Sequence, residues 1–109
     1  MANSKYHNRK IKLSTGEVFD SRKEYNRYNE LKLMEKAGII KDLRRQVKYE
    51  IIPKIKGYTR ATYYIADFVY YDCEKGIEVV EDCKGMKTDV YLLKKKLMMW
   101  INGIEIFET

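Results

Sequence analysis

The chain is poor in the residues that build metal clusters, cross-links and flexible linkers. Its single histidine, His7, and two cysteines, Cys73 and Cys83, sit among 109 residues with no Cys-x-x-Cys pair, which leaves a zinc site or a histidine-based metal nuclease without its ligands. One proline, Pro53, and six scattered glycines provide no linker, repeat or low-complexity stretch. No apolar run is long enough to cross a bilayer, and no signal or transit pattern is visible. The expectation is a cytoplasmic protein with reduced thiols and no membrane partner.

What is present is positive charge and tyrosine. Lys plus Arg is 22 against 16 for Asp plus Glu, a net charge of +6 with pI ≈ 9.2, and this favours a polyanionic partner. The 10 tyrosines fall mostly in apolar runs, so they read as strand and core packing rather than as platforms for bases. At this length the chain is one domain with a limited core, for which self-association would add stability. Residues 1–8 are polar and aperiodic and read as a flexible arm; residues 9–109 form the single domain.

Lys10 to Leu13 and Glu17 to Phe19 flank Ser14-Thr15-Gly16 as a short hairpin. Ser21-x-x-Glu24 is a capping-box pattern opening a helix to about Ala37, with Gly38 as its stop and Tyr28, Leu31, Leu33 and Met34 as its apolar stripe. Gln46 to Ile52, Tyr58 to Tyr71 and Ile77 to Lys84 read as three strands. Thr88 or Asp89 caps a second helix to Ile101 with Val90, Leu93, Leu97 and Trp100 on the buried stripe, and Ile104 to Phe107 closes the chain as an edge strand. The order hairpin-α-β-β-β-α-β gives an α/β fold around a mixed sheet flanked by helices.

The most informative residues are carboxylates in apolar strands. Asp67 is the one acid in Tyr63-Tyr64-Ile65-Ala66-Asp67-Phe68-Val69-Tyr70-Tyr71, where desolvation obliges it to find a partner or a cation. Downstream, in Val79-Val80-Glu81-Asp82-Cys83-Lys84-Gly85, period-two geometry sends Val80, Asp82 and Lys84 to one face and Val79, Glu81 and Cys83 to the other. A salt bridge between adjacent strands would also account for Asp67, Asp82 and Lys84. A register slip would exchange Asp82 for Glu81.

A lone Asp followed by Asp-x-Lys on the next strand resembles the motif of the PD-(D/E)XK nuclease superfamily. With Glu24 on the first helix, the order looks most like the phage-type endonuclease I junction resolvases and the end-cleaving nuclease of bacterial transposons. It is also similar to small phage and prophage proteins carrying Phe-Asp-Ser, Ala-Asp-Phe and Glu-Asp-x-Lys-Gly in this order. Two departures are Ala66, where a proline commonly precedes the strand Asp, and Asp82 in place of Glu.

The resemblance implies a restriction-endonuclease-like core, Mg²⁺ or Mn²⁺ as cofactor and DNA as partner. Asp67, Asp82 and the Cys83 main-chain carbonyl would be metal ligands, with Lys84 orienting or deprotonating the attacking water. Glu24 would complete the metal site or serve only the helix cap. Lys87, Tyr91, Lys94 and Lys95, with Arg44 and Arg45, are candidate phosphate contacts; a solvated helix face is the other reading of the lysines. The expectation is a metal-dependent DNA endonuclease of phage or prophage origin, selective for branched structures such as Holliday junctions, acting as a two-fold dimer. Its alternatives are a nuclease subunit of a larger recombination or transposition complex and a silent nucleic-acid-binding module.

Overall fold

The structure, a computed structural model, describes residues 10–83 and 86–109; the arm at residues 1–8 and the site residue Lys84, with Gly85, lie outside the described residues. Strands β1 (Ile11–Lys12) and β2 (Val18–Phe19) form a small hairpin, followed by α1 (Arg22–Lys36). The main sheet comprises β3 (Ile40–Ile52), β4 (Thr62–Asp72), β5 (Ile77–Asp82) and β6 (Ile106–Glu108), with α2 (Asp89–Asn102) before β6. Its order is β3-β4-β5-β6, antiparallel except for the parallel β5-β6 pair. The protein is thus an α/β fold with a mixed sheet, in the element order expected from its sequence.

Both helices begin where side-chain chemistry caps them. Ser21 is extended and its Oγ accepts the Glu24 N–H, while Thr88 accepts from the Tyr91 N–H. At the far end of α2, Gly103 adopts φ 65°, a left-handed turn that spares a side-chain-bearing residue strain.

Two apolar clusters sandwich the sheet. Leu31, Tyr28 and Met34 of α1 pack on Ile40, Phe68 and Tyr70, while Tyr91, Met98 and Leu97 of α2 pack on Ile51, Tyr64, Ala66, Val69 and Val80. Several sequence expectations need correction. Leu33 is exposed, because α1 turns the Leu31 line inward. On α2 the stripe lies one residue away from the expected one: Tyr91 and Met98 are buried, whereas Val90, Leu93 and Trp100 are 63, 58 and 83% exposed. Two apolar lines run along this helix, and the line that also carries a tyrosine hydroxyl able to reach a carboxylate on β6 faces the sheet. Strand β3 begins at Ile40 rather than Gln46, and β4 at Thr62 rather than Tyr58, which stands in an exposed turn.

The β3-β4 ribbon changes face halfway along. Leu43 on β3, with Phe68 and Tyr70 on β4, belongs to the α1 cluster, yet Val47, Tyr49, Tyr64 and Ala66, of the same parity in each strand, belong to the α2 cluster. Pairing stays in step across the change, Arg45 opposite Phe68 and Val47 opposite Ala66. Only the pair in between, Gln46 and Asp67, breaks the alternation, and Gln46 takes the left-handed φ of 53° that such a twist requires.

A dense polar tie among the described residues is Glu81, fully buried on the α1 side of β5. Its carboxylate accepts from Arg27 Nε at 2.6 Å and Arg27 Nη2 at 3.0 Å, a forked pair, and also from the Tyr70 hydroxyl at 2.7 Å and Thr109 Oγ1 at 3.1 Å. Arg27 is held charged chiefly by that carboxylate, and burial, then Glu81, raises the Tyr70 hydroxyl above its ordinary range. Removing one partner strands the other: Arg27→Met is expected to cost about 3–5 kcal/mol by urea denaturation. Adding Glu81→Gln to it should recover part of that loss, and a double variant no better than Arg27→Met would show that the pair is not the source.

Candidate functional site

Asp67 lies at the face change on β4, where the break in alternation brings its side chain to the end of β5. Its Oδ2 accepts the Cys83 N–H at 2.8 Å. Asp82, the last residue of β5, is fully buried and accepts the Tyr64 hydroxyl at Oδ2, 2.5 Å away. The two carboxyl groups lie near enough for the charge of Asp82 to be felt at Asp67. Burial first, and then the charge of Asp82, pushes the Asp67 carboxyl up to about 7; Glu24 adds a smaller push and the Cys83 N–H opposes it. The Tyr64 hydroxyl is raised well above its ordinary range, by burial and then by Asp82.

Glu24, on the first turn of α1, is buried and supplies the third charge felt at Asp67. It does not close the reciprocal capping box with Ser21. Its Oε1 accepts the Asp20 N–H at 3.0 Å, and its Oε2 is met by Gln46 Nε2 at 3.1 Å and Arg45 Nη2 at 3.4 Å. Glu24 therefore anchors the Gln46 side of the face change, the residue across the ribbon from Asp67.

The other sequence-predicted residues divide clearly. Arg45 turns inward: its guanidinium lies 3.8 Å from the centre of the Phe19 ring and donates to the Val18 carbonyl. Arg44 pairs with Glu78 at 2.9 Å on the surface. Tyr91 is buried, its hydroxyl 2.6 Å from Glu108, and Lys87 and Lys95 pair with the same carboxylate at 3.1 and 3.2 Å. These three donors hold Glu108 well below the ordinary carboxylate range, at about 2. Lys94 is half-buried on α2. Cys83 keeps its main chain against Asp67 and its thiol against Thr109, and burial raises that thiol to about 11. Glu81 faces away from Asp82, as strand parity requires.

Sequence reading missed Tyr64, Gln46 and Glu108. Tyr64 was legible in principle, since it precedes Asp67 by three residues in the same strand, but ordinary alternation would put positions 64 and 67 on opposite faces. Gln46 carried no signal beyond its place in a strand.

Asp67 and Asp82 give a pair of oxygen donors of the kind that a hard divalent cation takes. Among the described residues no three His, Cys, Asp or Glu side chains form a ready cation site. The donor chemistry fits Mg²⁺ or Mn²⁺ through two carboxylates, with the remaining positions left to water and phosphate oxygens.

One protein-family model matches the chain, over residues 3–102, with the description Protein of unknown function (DUF1064). No curated protein and no solved structure matches it. Among the described residues no helix is long and apolar enough to cross a membrane.

The Asp67 carboxyl has a testable effect on stability. An acid whose pKa is raised on folding opposes the folded state once it must ionise, so its penalty is complete above about 7 and fades as the pH falls toward 3.8. Without divalent metal, Asp67→Asn is expected to raise stability at pH 8 by on the order of 2 kcal/mol and to abolish the gain that the parent shows between pH 8 and 5. Parallel melting curves that keep the parent's pH dependence would remove Asp67 as its source.

Proposed function

The chain belongs to the DUF1064 family, whose description assigns no activity, and we propose from its own residues that it is a metal-dependent DNA endonuclease hydrolysing phosphodiester bonds. The observation that carries this reading is the juxtaposition of Asp67 and Asp82, two carboxylates on neighbouring strands whose charges oppose one another. Keeping such a pair costs stability that an apolar pair would not, which points to a task beyond folding. The net charge of +6 supplies the attraction for a polyanionic substrate.

In this reading Asp67 and Asp82 hold Mg²⁺ or Mn²⁺, which when bound polarises the phosphate and lowers the pKa of a coordinated water. The Tyr64 hydroxyl fixes the Asp82 carboxylate and the Cys83 N–H fixes that of Asp67, so each acid keeps one oxygen aimed. Lys84, two residues after Asp82, would orient the attacking water and offset phosphate charge. Glu24 acts as a positioning residue through Gln46 rather than as a ligand. Selectivity for branched DNA, a two-fold dimer and a phage or prophage setting complete the proposal. One observation favours the silent binding module instead: Glu24, the third acid, is engaged by Arg45 and Gln46.

Incubation of the protein with linear, nicked, flapped and four-way-junction DNA, with and without Mg²⁺ or Mn²⁺, separates the readings. Metal-dependent cleavage is expected on at least one branched substrate. Asp67→Ala, Asp82→Ala and Lys84→Ala should each abolish it and leave DNA binding largely intact. Intact DNA throughout, with binding preserved, would establish the silent module; full turnover by Asp82→Ala would dismiss the proposed site.

A further inference from the structure

Beyond the face change the β3-β4 ribbon continues as an arm with one open side. The α2 cluster covers one face through Val47, Tyr49, Ile51 and Tyr64. On the other face Lys48 and Ile65 are cross-strand partners, as are Glu50 and Tyr63, and all four side chains are exposed. The connection between the strands is built rather than loose: Ile55 and Thr59 form a bridge, the Tyr58 N–H bonds the Ile55 carbonyl at 2.9 Å, and Gly57 takes φ 75°. This small loop holds Tyr58, 81% exposed, outward among Lys54, Lys56 and Arg60.

Glu50 is the one acidic residue on the open face of this arm, and beyond it the charge has one sign. From Ile51 to Ala66 there are three basic residues and no acidic one. Lys48 adds a fourth cation on the open face, its ammonium 4.8 Å from the centre of the Tyr63 ring. Cations interleaved with exposed aromatic and aliphatic side chains suit a nucleic-acid backbone and the apolar edges of its bases. The width also fits, since a two-stranded ribbon is one of the elements that the major groove of about 12 Å accepts.

We propose that the β3-β4 hairpin is a DNA-binding arm that lies along a groove of duplex DNA, with Lys54, Lys56 and Arg60 on phosphates and Tyr58 at its tip. The assignment rests on the nuclease reading only for direction: the arm begins at Gln46 and Asp67, so duplex held at the Asp67-Asp82 pair meets the arm at once. At about 3.3 Å per residue the strand from Gln46 to Ile52 spans about 20 Å, roughly six base pairs, and the loop reaches further. The arm thereby measures DNA at a fixed distance from the cut, a property that a branch point within that distance would disturb.

The test is fluorescence anisotropy of the whole protein on a labelled 30-base-pair duplex in EDTA, across a salt series. A triple variant, Lys54→Gln with Lys56→Gln and Arg60→Gln, is expected to bind about tenfold or more weakly and to lower the slope of log affinity against log salt by up to about 2.7. A charge-matched control, Lys32→Gln with Lys36→Gln and Lys75→Gln, should leave the slope near the parent's. Tyr58→Ala should weaken binding without changing the slope. An unchanged slope in the arm variant, equal losses in arm and control variants, or a parent that does not bind duplex each overturns the proposal. Cleavage with Mg²⁺ is scored separately: an arm-dependent slope without cutting retains the arm and removes the nuclease reading, and cutting by an arm variant with parental binding does the reverse.

Discussion

Everything near the candidate site hangs on Arg27 meeting Glu81 inside the sheet. The helix carrying Arg27 otherwise has few apolar residues with which to grip: of its 15 residues, only Glu24 and Leu31 are fully buried. A forked guanidinium-carboxylate contact does what a longer apolar stripe would do elsewhere, and does it with orientation as well as attraction. Because Tyr70 from β4 and Thr109 beyond β6 donate to the same carboxylate, one side chain joins four parts of the chain. The next residue along the strand is Asp82, so whatever fixes Glu81 on one side of the sheet fixes Asp82 on the other.

The two buried acids of β5 therefore meet different partners on opposite sides of the sheet. Glu81 receives a full positive charge and two hydroxyls, so its desolvation is offset. Asp82 receives a hydroxyl from Tyr64 and faces the Asp67 carboxyl, whose pKa its charge helps to raise. Adjacent residues of one strand thus turn one carboxylate to an arginine and the next toward a second carboxyl. Glu108 makes a third case: a surface acid surrounded by Tyr91, Lys87 and Lys95 ties the start of α2 to the edge of the sheet.

The element order, both N-caps, the Gly38 stop and the facing of Val79 through Cys83 were legible because each depends on local chemistry: a hydroxyl at a helix start, a left-handed glycine, period-two alternation. The pairing of Asp67 with Asp82 was legible too, since a charge in an apolar strand has few destinations. The rest was decided by tertiary contacts. Two apolar lines on α2 were indistinguishable by spacing, and only the carboxylate waiting on β6 chose between them. Arg45 looked like a phosphate contact because a basic pair in a strand usually faces solvent; the Phe19 ring and Glu24 that claim it arrive from far earlier in the chain. Nothing local marked Gln46 as the point where the ribbon turns over.

That turn-over divides the ribbon into two stretches with separate inside-outside patterns joined at one residue per strand. In an uninterrupted hairpin, adding or deleting residues on one strand would invert every side chain from there to the body, exposing core and burying charge. Here the distal stretch takes its facing from the α2 cluster through Val47, Tyr49, Ile51 and Tyr64, and the proximal stretch from Leu43, Phe68 and Tyr70 under α1. Matched changes of length in the two strands beyond Gln46 would leave the facing of Leu43, Phe68 and Tyr70 as it is. The length of the ribbon beyond Gln46 is in this sense uncoupled from the facing of the residues below it.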